Sequence, residues 1–313
     1  MNNHSYINYN IIFSLVNKNV EKGRGICYTD KVGILRQSSE IEALWLSKKI
    51  IISDIDGTLV INDGVTVLDS TIEQFDRLRR EGHSIVLASG RPDFGLKHIS
   101  SPLGFDTHGG YIISFNGCRI TEVKSGKLLY GAYLEEGLLS EVQQFAKAQG
   151  IGIVTYGDEC IIRGCEENEF MTLERTVCRC PSLLCEDFSR LGRVHKTIVS
   201  CEVERAAELE PLMQKLFGDR ASVYRSDPHF VEVVPMGVNK ATAIARLVEI
   251  LGVSREDTIC FGDSYNDIEM IEYAGIGIAM GNSCQPLKDV ADYVTKFHTH
   301  HGIAYAIENF LKI

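Results

Sequence analysis

One stretch constrains the fold of this chain more than any other: an apolar run that leads directly into two aspartates. Residues 50–53 are three isoleucines and a serine, and Asp54, Ile55, Asp56 and a Gly-Thr turn follow them. A short apolar run that ends in a glycine turn is typical of a strand buried in a parallel sheet. Because ligands bind at the carboxyl ends of such strands, the stretch predicts both a fold class and a site.

The two aspartates of this stretch predict the kind of site. Side chains two residues apart in an extended segment point to the same side, so Asp54 and Asp56 can face one ligand. Two neighbouring carboxylates repel, and one stays protonated unless a cation lies between them. The pair therefore predicts a metal ion or a shared proton, and solvated acids in a turn are the alternative that this stretch alone leaves open.

The rest of the chain repeats the strand pattern and then interrupts it. A helical apolar spacing over residues 69–82 and strand-like runs at 84–88 and 111–115 predict an α/β, doubly wound (Rossmann-like) parallel sheet. Between residues 121 and 235 short alternating strands and helices predict an inserted α+β segment. We therefore expect a core domain formed by residues 48–120 and 236–313, with residues 121–235 inserted into it.

The first 47 residues differ from the remainder. Asparagines are frequent in the first ten positions, and no apolar period emerges. We expect this extension to be disordered or to reflect a mis-assigned start, with translation beginning near Leu46. No catalytic residue is expected in it.

Composition narrows the class of function. The 313 residues carry a net charge of −10, which argues against a nucleic-acid partner because no basic face can neutralise phosphates. No apolar run approaches the length of a membrane span, and the N-terminus lacks the pattern of a secretion signal. The ten cysteines show no paired C-x-x-C spacing, which favours reduced thiols over a zinc cluster or a disulfide framework. We expect a cytoplasmic protein.

Polar residues occupy several predicted strand ends and helix starts, where a parallel sheet brings them to one edge. They are Asp54, Asp56, Ser89, Lys240, Asp263, Asn266 and Asp267. Carboxylates suit Mg²⁺, which leaves room for a substrate phosphate. A lysine and a hydroxyl supply charge and hydrogen bonds to phosphoryl oxygens.

Four segments of this set resemble the four signatures of the haloacid dehalogenase superfamily of phosphatases. They are residues 54–59 (DIDGTL), residues 88–91 (ASGR), Lys240 and residues 262–267 (GDSYND). The Ser-Gly-Arg form of the second signature, the Asn116-Gly117 turn and the long insertion resemble the Cof-type, class IIB branch. The resemblance covers about residues 48–313 and implies that the insertion is a mobile cap that closes over the substrate.

The resemblance also implies roles for individual residues. Asp54 corresponds to the nucleophile that becomes an aspartyl phosphate, and Asp56 to the general acid and base. Mg²⁺ is expected on Asp54, on the backbone carbonyl of Asp56 and on Asp263, with Asp267 beside or within that ligand set. The residues expected to bind phosphate are Thr58, Ser89, Gly90, Lys240 and Asn266.

These expectations favour a Mg²⁺-dependent phosphatase that acts on a small phosphorylated metabolite such as a sugar phosphate. The alternatives are a phosphohexomutase-like phosphoryl transferase, a non-catalytic sensor of phosphorylated metabolites and a receiver-like domain. Asp56 argues against the receiver, because a base so close would hydrolyse the acyl phosphate. Arg91 either forms a surface ion pair or lines the cleft. We interpret His298, His300 and His301 as solvated surface rather than as a metal cluster.

Overall fold

The computed structural model describes residues 28–29, 35–36, 48–311 and 313. The chain forms two compact units, residues 1–48 and residues 49–313. In the first unit, two short strands, Tyr28–Thr29 and Leu35–Arg36, pair antiparallel. The predicted disorder or mis-assigned start of residues 1–47 otherwise lies outside the described residues.

Strands and helices of the described residues alternate through most of the second unit. The strands, numbered in chain order, are β1 (Tyr28–Thr29), β2 (Leu35–Arg36), β3 (Ile50–Ser53), β4 (Ser84–Ala88), β5 (Tyr111–Ser114), β6 (Arg119–Glu122), β7 (Lys127–Gly131), β8 (Gly152–Tyr156), β9 (Ile161–Arg163), β10 (Ser182–Leu184), β11 (Thr197–Ser200), β12 (Ala221–Asp227), β13 (Phe230–Pro235), β14 (Thr258–Gly262), β15 (Ile276–Ala279) and β16 (Tyr293–Val294). The α-helices are α1 (Asp69–Arg80), α2 (Lys97–Ser100), α3 (Phe105–His108), α4 (Leu138–Gln149), α5 (Glu169–Cys178), α6 (Val203–Phe217), α7 (Lys240–Leu251), α8 (Ile268–Tyr273), α9 (Gln285–Val290) and α10 (Gly302–Ala306).

An eight-stranded sheet forms the core, in the order β16-β15-β14-β3-β4-β5-β6-β7. The six strands from β16 to β5 are mutually parallel, and β6 and β7 continue the sheet as an antiparallel hairpin. Strand β3 lies in the middle, where Ile51 pairs with Ile259 of β14 and with Ile85 of β4. The apolar run that precedes Asp54 is therefore a central, fully buried strand.

Helices cover both faces of this sheet. Ile51 belongs to the same buried cluster as Phe75 of α1. Ile52, which points to the opposite face, packs in a second cluster with Ile244 of α7. Two covered faces explain why the strand sequences are continuously apolar rather than alternating, and the predicted α/β fold class is confirmed.

A second sheet of six strands lies between residues 152 and 235, in the order β10-β9-β8-β11-β13-β12. Its central strands are antiparallel, and α4 and α6 pack against it in a buried cluster of their own. Phe115, at the end of β5, packs against Val154 and Ile198 of this sheet. The division of the chain at residues 121 and 235 stays a prediction. Strand β6 spans the first of these boundaries and β7 lies beyond it, and both belong to the core sheet.

Several boundaries differ from the sequence prediction for local reasons. Strand β5 ends at Ser114 rather than Phe115, because Phe115 and Asn116 both have left-handed backbones, with φ of 52° and 53°. Strands β6, β7 and β10 were not predicted, since they are short and mostly only partly buried, and their sequences lack the long apolar run of the central strands. The last helix is regular only to Ala306 and continues as a wider π turn over Ile307–Leu311.

Helix α7 begins where the sequence predicts. The Asn239 side chain accepts a hydrogen bond from the Thr242 N–H at 2.8 Å, and the Thr242 hydroxyl accepts one from the Asn239 N–H at 3.0 Å. This reciprocal cap fixes the first turn of the helix, and therefore fixes where Lys240, its first residue, projects. Among the helices that the structure describes, none combines the length and the apolar character needed to cross a membrane.

Candidate active site

Two neighbouring parallel strands bring the first acids together. Strand β3 ends at Ser53 and β14 ends at Gly262, and Ser53 is paired with Phe261. The Asp54 N–H continues the pairing by donating to the Phe261 carbonyl at 3.0 Å. Asp54 and Asp263 therefore lie side by side at the carboxyl edge of the sheet, although 209 positions separate them in the sequence.

A buried cluster forms around these two acids. Asp54, Asp263 and Asp267 each place a carboxylate oxygen within 4.8 Å of the other two. The Lys240 ammonium donates to Asp54 Oδ1 at 2.5 Å and to Asp267 Oδ1 at 2.7 Å. Lys240 is 1% exposed, so its charge lies wholly between the two acids and fixes their orientation.

The electrostatics of this cluster show an excess of negative charge. Burial and the neighbouring Asp267 raise the pKa of Asp54 well above its ordinary value. The same two causes raise the pKa of Asp263 to about 6. Burial lowers the pKa of Lys240, but Asp267 and Asp54 more than offset this, and its pKa stands above the ordinary value. One ammonium thus does not balance three close carboxylates.

The donor set fits a hard divalent cation. Its ligand atoms are all carboxylate oxygens, the type that Mg²⁺ prefers. Asp267 has both oxygens engaged, Oδ1 with Lys240 and Oδ2 with the N–H groups of Asp263 and Ser264 at 3.0 and 3.1 Å. Asp54 and Asp263 consequently offer the more open carboxylates, and Asp267 orients its neighbours.

The turn after Asp56 closes one side of the cluster. Thr58 is buried and its hydroxyl donates to Asp263 Oδ1 at 3.0 Å. Gly57 has a φ of +77°, and a β-carbon added there would lie 2.3 Å from Asp263 Oδ2. Glycine is required at this position for its backbone conformation and for the close approach of the carboxylate.

We expect Gly57→Ala to weaken Mg²⁺ binding at least about tenfold, because the methyl group displaces the Asp263 carboxylate. Calorimetric titration with MgCl₂ measures the change. Gly126→Ala is the matched control: Gly126 has a φ of +67°, but a β-carbon there meets nothing within 4 Å. Equal Mg²⁺ affinity in both variants would show that Asp263 does not need this close contact.

The end of β4 supplies the second edge of the site. Ser89 is 2% exposed, and its hydroxyl accepts a hydrogen bond from the Arg91 N–H at 3.1 Å. A β-carbon on Gly90 would lie 3.0 Å from Asn116 Oδ1. The backbone from Ser89 to Arg91 is therefore a tight turn between the core strand and Asn116.

The structure resolves the two interpretations of Arg91. Its side chain is 8% exposed and forms a two-pronged ion pair with Asp56, in which Nε donates to Oδ2 at 2.9 Å and Nη2 donates to Oδ1. Asp56 itself is 54% exposed, so a solvated carboxylate is held by a buried guanidinium. Nη1 of Arg91 is buried and has no hydrogen-bond partner among the described residues. Arg91 lines the site and is not a surface residue.

A polar relay joins the site to the six-stranded sheet, and the sequence analysis missed it. Asn116 Nδ2 donates to the Tyr224 hydroxyl at 3.1 Å and to Glu232 at 3.2 Å, and Asn116 Oδ1 accepts from Asn266 at 3.3 Å. Glu232 also forms a buried ion pair with Lys196 at 3.0 Å. The sequence feature that could have indicated this relay is Glu232, a charged residue inside the apolar run of β13.

A cleft of about 900 Å³ lies beside this relay but not over the acids. Phe115, Tyr133 and His195 line it, and His195 stacks between the two rings with centroid distances of 5.0 and 4.5 Å. None of the acids of the cluster lines it, nor does Lys240. We therefore place the chemistry at the acid cluster and not in this cleft.

The three histidines near the C-terminus do not share one environment. His300 and His301 are exposed, as predicted. The prediction is wrong for His298, which is half-buried because its ring nitrogens face Asn282 at 2.9 Å and Asn62 at 2.9 Å. His301 faces Ser70 at 2.7 Å, so the rings of His298 and His301 have different partners.

Comparisons with known proteins agree on one family. Residues 51–307 match the model of the haloacid dehalogenase-like hydrolases. The chain is 26% identical over 279 residues to 5-amino-6-(5-phospho-D-ribitylamino)uracil phosphatase YitU of Bacillus subtilis, across 84% of this chain and 98% of the relative. The crystal structure of a haloacid dehalogenase-like hydrolase from Bacteroides thetaiotaomicron superposes with a TM-score of 0.79 at 31% identity, covering 84% and 99% of the two chains. The subclass IIB sugar phosphatase BT4131 gives a TM-score of 0.72 at 26% identity, covering 85% and 100%.

Proposed function

Since the chain belongs to the haloacid dehalogenase-like hydrolase family and is a phosphatase of the kind that acts on small phosphorylated metabolites, we propose that it hydrolyses a sugar phosphate with Mg²⁺ through an aspartyl-phosphate intermediate. One observation carries the proposal. The Asp54 carboxylate, a possible nucleophile, lies in one buried cluster with Asp263 and Asp267 and is oriented by Lys240. A nucleophilic carboxylate beside a cation site is what phosphoryl transfer to an aspartate requires.

The first step uses Asp54 and Asp56. A carboxylate oxygen of Asp54 attacks phosphorus, and the bond between phosphorus and the ester oxygen breaks. The departing oxygen takes a proton carried by Asp56 and leaves as an alcohol. In the ion pair Arg91 donates to both oxygens of the Asp56 carboxylate. When Asp56 carries the proton, its hydroxyl oxygen gives up one of these bonds, and the other keeps the half-exposed acid in position.

The second step reverses the proton transfer. Asp56, now a carboxylate, accepts a proton from a water molecule whose oxygen attacks phosphorus. The bond between phosphorus and Asp54 breaks, which releases inorganic phosphate and restores the Asp54 carboxylate. Lys240 contacts Asp54 directly at 2.5 Å and compensates negative charge at the nucleophile in both steps.

A bound Mg²⁺ would be held by Asp54 and Asp263, with Asp267 orienting them, and would supply charge stabilisation for the phosphoryl oxygens. Thr58, Ser89 and the backbone at Gly90 border the same edge of the sheet. The Ser89 hydroxyl and the backbone at Gly90 supply hydrogen-bond donors for a phosphoryl group, and the Thr58 hydroxyl, which donates to Asp263, would have to turn toward the phosphoryl group to do the same. Asn266 is exposed and donates to Asn116, which supports a contact with the phosphate next to the six-stranded sheet.

Two findings support a sugar phosphate as the substrate class. BT4131, which has the same fold, is a sugar phosphatase. In this chain the relay of Asn116, Tyr224 and Glu232 places amide, hydroxyl and carboxylate groups next to Asn266. Such groups can hydrogen-bond the hydroxyls of a sugar.

The proposal is tested by assaying the full chain against p-nitrophenyl phosphate and a panel of sugar phosphates. We expect hydrolysis with MgCl₂, loss of at least about 99% of the rate in excess EDTA, and recovery when MgCl₂ is restored, since the acid cluster otherwise lacks its cation. Heat-inactivated protein is the control for contaminating phosphatase. An undiminished rate in EDTA would contradict the metal step, and a panel without a hydrolysed sugar phosphate would contradict the substrate class.

A further inference from the structure

His298 sits at the junction of three loops that surround the acid cluster. Its ring Nδ1 lies 2.9 Å from Asn282 Oδ1, and its backbone N–H donates to the same oxygen at 3.1 Å. Its Nε2 lies 2.9 Å from Asn62 Oδ1. The residue is half-buried, and nothing in the proposed chemistry uses it directly.

The contacts of Asn282 fix the proton on His298. Asn282 Nδ2 donates to the Gly57 carbonyl at 2.7 Å, so its Oδ1 must be the atom that faces His298. An amide oxygen only accepts hydrogen bonds, and Nδ1 therefore carries the proton. Burial and then the nearby His300 lower the pKa of His298. Nε2 faces Asn62 Oδ1, which also only accepts, but the hydrogen bond from Nδ1 to Asn282 forms both in the imidazolium and in the neutral ring protonated on Nδ1.

The carbonyl held by Asn282 belongs to the turn that closes the acid cluster. Gly57 follows Asp56, whose backbone carbonyl is the remaining ligand expected for Mg²⁺. Gly57 also packs directly on the Asp263 carboxylate, and Asn282 Nδ2 lies 3.5 Å from Asp263 Oδ2. A rotation of the Asn282 amide would put an oxygen against both the carbonyl and the carboxylate, which is repulsive.

We infer that His298 is a positioning residue for the cation site: its Nδ1–H holds the Asn282 amide in the one orientation that ties the Gly57 turn to Asp263. The inference rests on the proposed function only through the Mg²⁺ site. His298 acts through Asn282 and touches neither substrate nor metal. The ligand concerned is the divalent cation, and the loss of His298 weakens its binding without removing any ligand.

The test is calorimetric titration of the full chain with MgCl₂ alone. We expect His298→Ala to raise the Kd for Mg²⁺ about fivefold, the effect of one net hydrogen bond. His298→Asn should restore the Kd to within about twofold of wild type, because the asparagine Nδ2 takes the place of the imidazole Nδ1 as donor. His300→Ala is the matched control and should leave the Kd unchanged, since the His300 ring is exposed and contacts its near neighbours Thr299 and Phe297 rather than Asn282.

A double-mutant cycle separates positioning from a general structural role. If His298 acts through Asn282, the variant that carries both His298→Ala and Asn282→Ala binds Mg²⁺ no more weakly than Asn282→Ala alone. Additive losses, an unchanged Kd in His298→Ala, or failure of His298→Asn to restore binding would each overturn the inference. A wild-type chain that does not bind Mg²⁺ would overturn it as well.

Different results would contradict the proposed function and the role of His298. A wild-type chain that binds Mg²⁺ but hydrolyses no phosphate ester contradicts the proposed function and leaves the role of His298 intact. A chain that hydrolyses phosphate esters with an unchanged Mg²⁺ affinity in His298→Ala contradicts only the inference. Thermal unfolding in EDTA adds a check, because a positioning role predicts similar metal-free unfolding temperatures for His298→Ala and His298→Asn.

Discussion

Asp54→Asn is expected to lower the steady-state hydrolysis of p-nitrophenyl phosphate by about 10⁵-fold or more, the scale on which loss of a nucleophile acts. The amide has the size of the carboxyl group but cannot form an acyl phosphate. The release of p-nitrophenolate at saturating MgCl₂ measures the loss. We also expect no covalent phosphate on the variant when its intact mass is recorded after incubation with substrate.

The variant should nevertheless remain folded. Burial and Asp267 raise the pKa of Asp54 in the native state, so its charge costs stability at pH values above both the unfolded and the folded pKa. A neutral amide removes that cost, and the unfolding temperature in EDTA at neutral pH should not fall below that of wild type. Asp69→Asn, at an exposed acid in the first turn of α1, is the control. Retained turnover in Asp54→Asn would remove this residue from the nucleophile role.

Asp56→Asn is expected to trap the phosphoenzyme. p-Nitrophenolate leaves without needing a proton, so the first step proceeds, while the second step lacks its base and slows by about 10²- to 10⁴-fold. Rapid-quench measurements should show a burst of p-nitrophenolate close to one equivalent of enzyme, followed by a slow steady state. The mass of the quenched protein should rise by one phosphoryl group, which sits on Asp54.

The contacts of Asp56 and the choice of leaving group add a second test of this prediction. Arg91 contacts both carboxylate oxygens, and the asparagine keeps one acceptor for the guanidinium, so the turn should stay in place. An ester with a poor leaving group, such as a sugar phosphate, should show no burst with the same variant because its first step also needs the proton. Full steady-state turnover, or a burst that is the same for both leaving groups, would contradict the acid and base role.

The phosphoenzyme of the wild-type chain distinguishes hydrolysis from phosphoryl transfer. A phosphohexomutase-like enzyme passes its phosphoryl group to a second sugar phosphate, whereas the proposed enzyme passes it to water. Wild-type phosphoenzyme that decays at the same rate with or without an added sugar phosphate supports hydrolysis. A sugar phosphate that speeds the decay and yields a bisphosphate would favour the alternative.

The sequence predicted those parts of the site that depend on residues close together in the chain. The carboxyl end of β3 could be recognised because an apolar run, two aspartates and a glycine turn occur within a few residues. The cap of α7 is equally local, and with it the place of Lys240. Parallel strands meet at one edge, so Asp54 and Asp263 were expected to be neighbours without any knowledge of the loops.

Contacts between loops could not be predicted from residues close together in the chain. Arg91 reaches Asp56 across 35 positions, Asn116 reaches Glu232 across 116, and His298 reaches Asn62 across 236. Nothing within any of these segments specifies its partner, because the partner depends on how turns and side chains pack after the sheets have formed. For this reason Arg91 had two interpretations and His298 was assigned wrongly to the solvated surface.

The sequence by itself determined the α/β class, the family signatures and the acids that end two of the central strands, because strand burial and helix caps follow from residues close together in the chain. Only the tertiary structure decided which carboxylate oxygens of the cluster are already hydrogen-bonded: Lys240 and two N–H groups occupy both oxygens of Asp267. It also decided that Arg91 holds Asp56 and that His298 faces Asn282, because each of these contacts joins loops whose approach is set by the packing of the whole unit.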